Sequence, residues 1–430
     1  MDHPVFISRR IKPTLELNPD WTDLPDHILD FIFEKIKTVR DSLIFGTICV
    51  KWYQIFMHNR SKLVKLIRHL EPKLLFPIES EAHNSWSVCS INSEHKNVFG
   101  SDLLLPSYNK PFSGSSEGWL ATLDDNFGFT LFKPFMRTEE RSTVHLPPLF
   151  PPSDALVVKK LLAYREYYVM KFTTFTPDPV LNPNDFIMVA IYGPSCELAY
   201  IRTSKDAAWT HIPSLLDAYY SDVLYYNDTF YALYDKGGLV AFDISEDSSQ
   251  AQPIMKLIVR NRMTPAEKNR YVCRRYLVES YKGELLQVQR YRESRVAHVT
   301  KEFKVFKLSF DQSQWVEINY LEDEALFIGD STSVSVDTSS TSTQCQSNCI
   351  YFVDDKDTIG FDVGPLDCGV YNLKTRSVFR LFSIDVRLFP KMSERIPFWV
   401  APTVFSRGSE AQKGTSSHHR QQGQQKLFIS

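Results

Sequence analysis

Leu24-Pro25-Asp26-His27-Ile28-Leu29-Asp30-Phe31-Ile32-Phe33-Glu34-Lys35-Ile36 opens the first folded region of the chain, and Ile48-Cys49-Val50-Lys51-Trp52 closes it. Proline suits the first turn of a helix, where its missing N–H costs nothing. Asp26 places negative charge near the positive end of the helix dipole. Ile28, Leu29, Ile32, Phe33 and Ile36 then recur at helical spacing, one apolar stripe along the element. A second stripe runs Val39, Leu43, Ile44, Ile48, and a third holds Trp52, Ile55 and Phe56. Residues 24–60 therefore read as three short helices. Gly46 falls inside the second, at about 1 kcal/mol relative to alanine, so that helix is expected to be soft.

Three helices this short cannot bury so many apolar side chains among themselves. Leu24, Pro25, Ile28, Leu29, Ile32 and Phe33 are expected to form a docking stripe for another protein's helices. Ile36, Ile48, Cys49 and Trp52 are assigned to the core that holds the helices together, Cys49 as a small buried hydrophobe. A basic, amphipathic connector follows, with Arg60, Lys62, Lys65, Arg68 and Lys73 on its wet face and Leu63, Leu66, Ile67 and Leu70 on its dry one. Glu71-Pro72 ends that helix.

The 430 residues carry 49 Lys+Arg against 51 Asp+Glu, a net charge of −2 that supplies no general field for nucleic acid or anionic lipid. No apolar run approaches a membrane span, and residues 1–10 lack the apolar core of a signal peptide. Seven cysteines, an odd number scattered along the chain, form no disulfide framework and fit a reducing compartment. Cytoplasm or nucleus is the expected location. Cys345 and Cys349 lack the further ligands of a zinc site, so no metal and no cofactor is expected. No G-x-S-x-G, no P-loop, no G-x-G-x-x-G and no H-E-x-x-H run is read in the sequence. The pair Asp354-Asp355 reads as solvated turn acids, and His418-His419 lie on a polar tail, so no catalytic residue is assigned.

From about Cys89 the pattern becomes β. The 30 Phe and 20 Tyr suit pleated, half-buried surfaces. Phe186–Tyr192 is one run, stopped by Gly193-Pro194. Val223–Tyr226 and Thr229–Leu233 flank a hairpin turn at Asn227-Asp228. Tyr276–Val278 and Glu284–Val288 flank Lys282-Gly283. Phe306, Leu308 and Phe310 alternate with Lys307 and Ser309, as on a strand with one wet face. Trp209, Ile212, Leu215 and Asp217 recur as Trp315, Ile318, Leu321 and Asp323, and Tyr231, Asp235-Lys236 and Phe242-Asp243 are echoed by Tyr351, Asp355-Lys356 and Phe361-Asp362. The first shift matches two blades of a propeller, each blade being roughly 40–50 residues. The second differs because the Ser/Thr-rich segment Ser331–Thr343 is inserted, and a solvated loop is expected there. The tail from 405 is too polar to bury itself and is expected to be disordered.

Two resemblances sharpen this reading. Leu24-Pro25, Ile28-Leu29, Ile32-Phe33, Asp41, Ile48-Cys49 and Trp52 resemble the F-box along its whole length, with Phe31 and Phe33 bulkier than is usual. Gly114-Ser-Ser-Glu-Gly-Trp-Leu120, His145-Leu-Pro-Pro-Leu149, the Tyr225–Ile244 hairpin and Trp315-Val-Glu-Ile318 resemble plant F-box proteins with a KIB-type β-propeller, over roughly residues 72–402. Lys133-Pro134 stands where that family often has Asn-Pro. The resemblance implies an α+β multidomain chain: a flexible N-terminus at 1–19, a three-helix F-box at 20–62, a helical connector at 63–85, an all-β propeller at 86–404 with the Ser/Thr-rich loop at 331–347, and the tail at 405–430. It implies a non-catalytic substrate receptor of an SCF-type ubiquitin ligase, whose F-box docks a SKP-type adaptor, and through it a cullin, while the propeller binds the protein to be ubiquitinated. The alternative reading is an F-box scaffold or sequestering protein acting outside a ligase.

Overall fold

The computed structural model describes residues 21–79, 84–89, 102–103, 112–135, 143–150, 168–177, 182, 184–216, 219–244, 252–260, 272–292, 299–339, 343–353, 367–379, 397–402, 404–407 and 426–429. The assignments made above to residues 1–19, Asp217, Asp354–Asp362, His418-His419 and most of the tail lie outside these. Contacts divide the chain between Leu66 and Ile67 into two compact units.

The first unit is helical. A 3-10 turn at Trp21–Asp23 precedes α1 (Asp26–Lys35), α2 (Val39–Thr47), α3 (Val50–His58) and α4, which starts at Arg60 and runs to Arg68. Pro25 stands at the N-cap of α1, and its carbonyl accepts from the Ile28 and Leu29 amides. Thr38 caps α2, its Oγ1 accepting from the Asp41 amide at 3.0 Å. Gly46 does more than soften α2. A Cβ there would lie 2.9 Å from the Phe56 ring, so the glycine permits the close approach of α2 and α3.

The second unit is built from six sheets of four or five strands among the described residues, each one blade of a propeller. Blade one holds β1 (Lys73–Glu79), β2 (Asn84–Cys89) and β3 (Asp102–Leu103). Blade two holds β4 (Phe112–Ser116), β5 (Trp119–Leu123), β6 (Gly128–Phe132) and β7 (Thr143–Pro148). Blade three holds β8 (Val169–Phe175), β9 (Ile187–Tyr192), β10 (Glu197–Arg202) and β11 (Thr210–Ile212). Blade four holds β12 (Tyr220–Tyr226), β13 (Thr229–Tyr234), β14 (Leu239–Phe242) and β15 (Lys256–Val259). Blade five holds β16 (Val272–Glu279), β17 (Leu285–Arg292), β18 (Thr300–Ser309) and β19 (Gln314–Ile318). Blade six holds β20 (Glu324–Ile328), β21 (Val334–Asp337), β22 (Cys349–Phe352), β23 (Gly369–Asn372) and β24 (Ser377–Phe379). β25 (Phe398–Val400) then returns to blade one and pairs antiparallel with β1, Lys73 opposite Val400. The first and last strands of the blades thus share one sheet, which closes the ring.

Neighbouring blades meet through their innermost strands, in the order β25, β4, β8, β12, β16, β21. Each sheet is sandwiched between two others, so β4, β5, β9, β14, β20 and β22 are buried at every position. Simple alternation survives only toward the rim. Leu308 is buried and Phe306 half-buried, but Phe310 lies past the end of β18 and is exposed. The expected turns are present: Asn227 and Asp228 both have left-handed φ (45° and 60°), as do Glu117 and Gly118 (46° and 76°) between β4 and β5.

Three assignments are corrected. The connector is helical only through Arg68; residues 73–79 are strand β1. The first part of the Ser/Thr-rich segment, residues 331–337, is not a solvated loop, because Val334–Asp337 is β21, the innermost strand of blade six. Ser331 donates to the Trp399 carbonyl at 3.3 Å, Thr332 to the Ser115 carbonyl at 3.0 Å, and Ser335 to the Glu324 carboxylate at 2.7 Å. Hydroxyls that looked like solvent contacts in the sequence satisfy buried acceptors instead. The tail is not wholly without structure: β26 (Val404–Arg407) pairs with β27 (Lys426–Ile429).

Candidate functional site

The helical head is organised around rings. Phe33 of α1 meets Phe45 of α2 edge-on at 5.1 Å and Phe56 of α3 at 6.0 Å, and Phe45 lies 4.5 Å from Trp52. Trp52 is buried and its indole N–H donates to the Trp21 carbonyl at 3.2 Å. Lys62 reaches back to the C-terminal end of α1, donating to the carbonyls of Phe33 and Glu34 at 2.6 Å each. That adds a donor to the last carbonyls of the helix, Phe33 already accepting from the Ile36 amide at 3.1 Å, and sets a cation at its negative end. Burial holds the Lys62 pKa below the ordinary lysine value, against the opposing pull of Glu34.

This packing redistributes the residues assigned from sequence. Leu29 and Phe33, expected on the docking stripe, are both 0% exposed and belong to the core. Pro25 and Ile28 are exposed; Leu24 and Ile32 are half-buried. Among the expected core residues, Trp52 is buried, and Ile36 and Cys49 are half-buried. Ile48 is not core: it is 47% exposed, at the C-cap of α2. The reason is helical phase. Leu29, Phe33 and Ile36, spaced i, i+4, i+7, make the inward stripe, so Ile28, Phe31 and Ile32 form a second apolar stripe facing away from it. Sequence reasoning merged the two. It also missed Trp21, Phe31, Ile44 and Val50, all exposed. The signal was available: α1 is apolar on more than one face, which one short helix's own core does not require.

In the second unit, the segment Ile67–Glu71 is tied to blades two and six. Arg68 Nε meets both oxygens of Glu117 at 3.2 Å, His69 Nδ1 lies 2.8 Å from the Ser335 carbonyl, and the Cys345 thiol donates to Glu71 at 3.3 Å. Glu117 raises the Arg68 pKa, and burial beside Glu71 pushes the Cys345 thiol up, so it stays a protonated donor rather than a nucleophile. Among the innermost strands, Lys171 of β8 pairs with Asp222 of β12 at 2.7 Å, and Asp222 also accepts from the Leu277 amide of β16 at 2.7 Å. Burial raises the Asp222 pKa and Lys171 opposes it. This clasp joins three innermost strands and leaves no reactive group over. Gly114-Ser115-Ser116-Glu117-Gly118 spells the G-x-S-x-G of a hydrolase elbow, which corrects the sequence reading that no such run is present. Here it is a strand–turn–strand hairpin, and Ser116 Oγ accepts from the Thr174 amide at 3.1 Å.

The family comparison agrees with this architecture. The family model KIB1-4 beta-propeller matches residues 87–372. Among curated proteins, the chain is similar to F-box protein SKIP23 of Arabidopsis thaliana, 24% identical, covering 89% of this chain and 95% of that protein. It is also similar to F-box protein At2g17036 of the same plant, 25% identical over 76% of this chain and 81% of the other. Among solved structures it is loosely similar to TolB from Acinetobacter baumannii, at a TM-score of 0.38 and 12% identity, covering 77% and 67% of the two chains. With an F-box-like head in front of six blades and a family match over most of its length, the chain belongs to the KIB1-4 β-propeller family, as a plant F-box protein.

Proposed function

We propose that this chain is the substrate-recognition subunit of an SCF-type ubiquitin ligase, acting in the cytoplasm or nucleus. The head docks a SKP-type adaptor, and through it a cullin; the propeller binds the protein to be ubiquitinated. One observation carries the reading: Ile28, Phe31, Ile44, Ile48 and Val50 stay exposed on a head whose interior is already filled by Phe33, Phe45, Trp52 and Phe56. Apolar side chains left over after a core is complete are surface for a partner. The receptor acts by proximity, raising the local concentration of the acceptor protein near the transfer machinery, and needs no nucleophile of its own.

The test is capture of the adaptor by the full chain and by an Ile28→Asp/Ile48→Asp variant. Both residues are exposed, so helical content and melting of the variant are expected to match the parent. Losing apolar anchors at an interface costs about 2 kcal/mol or more, roughly a thirtyfold drop in adaptor affinity. Undiminished recovery of adaptor and cullin by the variant would overturn the docking assignment.

A further inference from the structure

Four strand ends of blades two and three meet where Phe150 follows β7, Tyr168 precedes β8, Tyr192 ends β9 and Glu197 begins β10. The Tyr168 hydroxyl donates to the Phe150 carbonyl at 2.6 Å, and the Tyr168 carbonyl accepts from the Gly193 amide at 2.8 Å. Tyr168 and Tyr192 are buried, and the Phe150 ring lies 5.7 Å from that of Tyr192. Phe150 itself is 39% exposed, at a left-handed φ of 32°. That conformation is unfavourable for a bulky residue, and the bond from Tyr168 to its carbonyl holds it in place. Glu197 stands opposite Tyr192 in the β9–β10 register and is exposed. Burial, and after it the Glu197 charge, raises the pKa of both phenols, so the carboxylate is close to both. Among the described residues no cation stands within ion-pair distance of Glu197, whereas Glu317 and Glu284 of blade five have Lys304 and Lys307. The Tyr220 amide of β12 donates to the Cys196 carbonyl at 3.3 Å, which brings blade four alongside, where Tyr219 and Leu215 are both exposed.

We propose that Phe150 and Glu197 form a docking site on the propeller for an arginine side chain of an extended segment of a partner protein. This rests on the reading of the propeller as the part that binds the protein to be ubiquitinated. A carboxylate without a counter-charge calls for a cation, and a ring face beside it calls for one that is planar and weakly hydrated. A guanidinium meets both demands, stacking on the ring while its forked N–H groups donate to the carboxylate. An ammonium is a strongly hydrated point charge and meets them less well. Tyr219 and Leu215 offer apolar surface to the residues beside that arginine. Tyr168 and Tyr192 hold Phe150 in place before anything binds, so little ordering entropy remains to be lost at the ring.

A phage-displayed library of random dodecapeptides is depleted on a Glu197→Lys variant of the full chain and then selected on the parent. The survivors are expected to be enriched in arginine beside apolar residues. Their consensus peptide, labelled with fluorescein, is titrated by fluorescence anisotropy. Its affinity is expected to fall roughly fivefold in Glu197→Gln, the scale of an exposed ion pair, and by a similar factor in Phe150→Ala, the scale of a surface cation–π contact. Replacing the peptide's arginine by glutamine is expected to weaken binding to the parent by more than binding to Glu197→Gln, since the two changes remove one shared contact. The Ile28→Asp/Ile48→Asp variant is expected to bind the peptide as the parent does, so failure of adaptor docking and failure of this site are read separately. No survivors, survivors without an excess of arginine, or a peptide indifferent to Glu197→Gln and Phe150→Ala overturns the proposal.

Discussion

Phe33 is gripped by rings from two other helices and by the Lys62 ammonium, 5.4 Å from its ring centre. Truncating such a side chain removes its burial and leaves a cavity that rigid neighbours cannot fill. Phe33→Ala is expected to cost about 3–5 kcal/mol and to melt the head, read as loss of helical circular dichroism on heating. Ile48→Ala, at an exposed site, is expected to stay within about 0.5 kcal/mol of the parent. Equal losses for the two would contradict their placement. Lys133 allows a test by pH. Its folded pKa of about 8 lies below the ordinary 10.5. Between those values the unfolded chain binds the proton and the folded chain does not, so this lysine's contribution to stability grows as pH rises. The burial penalty is fully present below pH 8 and relieved by pH 10.5, a span of about 3 kcal/mol. Lys133→Met is therefore expected to be more stable than the parent at pH 7, with the gap closing through that window in urea titrations. A gap independent of pH would mean that the amine is not desolvated.

Helix α1 and strand β21 mark what the sequence could and could not disclose. Helical spacing was legible because a 3.6-residue period survives whatever the helix packs against. Which of two apolar stripes faces inward was not, because both satisfy the same period and only the positions of Phe45 and Phe56 decide between them. β21 was missed for a related reason. Ser331, Thr332 and Ser335 have the composition of a solvated loop, and only ring closure brings the Ser115 and Trp399 carbonyls and Glu324 to them. The tryptophan repeat, by contrast, was read correctly from spacing alone. Trp209 and Trp315 lie two blades apart, and each indole N–H donates 2.9 Å to a backbone carbonyl of the preceding blade, Pro147 and Gly237 respectively. The two residues are equivalent inter-blade ties. Trp209→Phe and Trp315→Phe are each expected to cost about 1 kcal/mol for the lost bond, and the double variant the sum, since distant sites add. Denaturant midpoints of the three variants check this; a double loss well above the sum would show that the ties are coupled through the ring.

Closure of that ring depends on three residues from far along the chain. β25 supplies the inner edge of blade one, pairing Lys73–Leu75 with Phe398–Val400. Its Trp399 is fully buried, 5.1 Å edge-on to Phe327 of blade six, while its carbonyl accepts from Ser115 of blade two at 2.8 Å. One short strand therefore bonds to blade two, packs on blade six and completes blade one. A chain ending before residue 397 would leave β1 with an open inner edge, Ser115 and Ser331 short of an acceptor, and the Phe327 ring uncovered. An unpaired edge beside exposed apolar surface invites pairing with another chain. Such a truncation is expected to unfold with a shallower denaturant slope and to bind hydrophobic dyes, because less surface is buried in its native state. Adding a synthetic peptide spanning residues 396–403 should restore the parent's slope by supplying the missing strand, in the manner of β-strand addition. A truncated chain with the parent's midpoint and slope, indifferent to the peptide, would place the closure of the ring elsewhere than at β25.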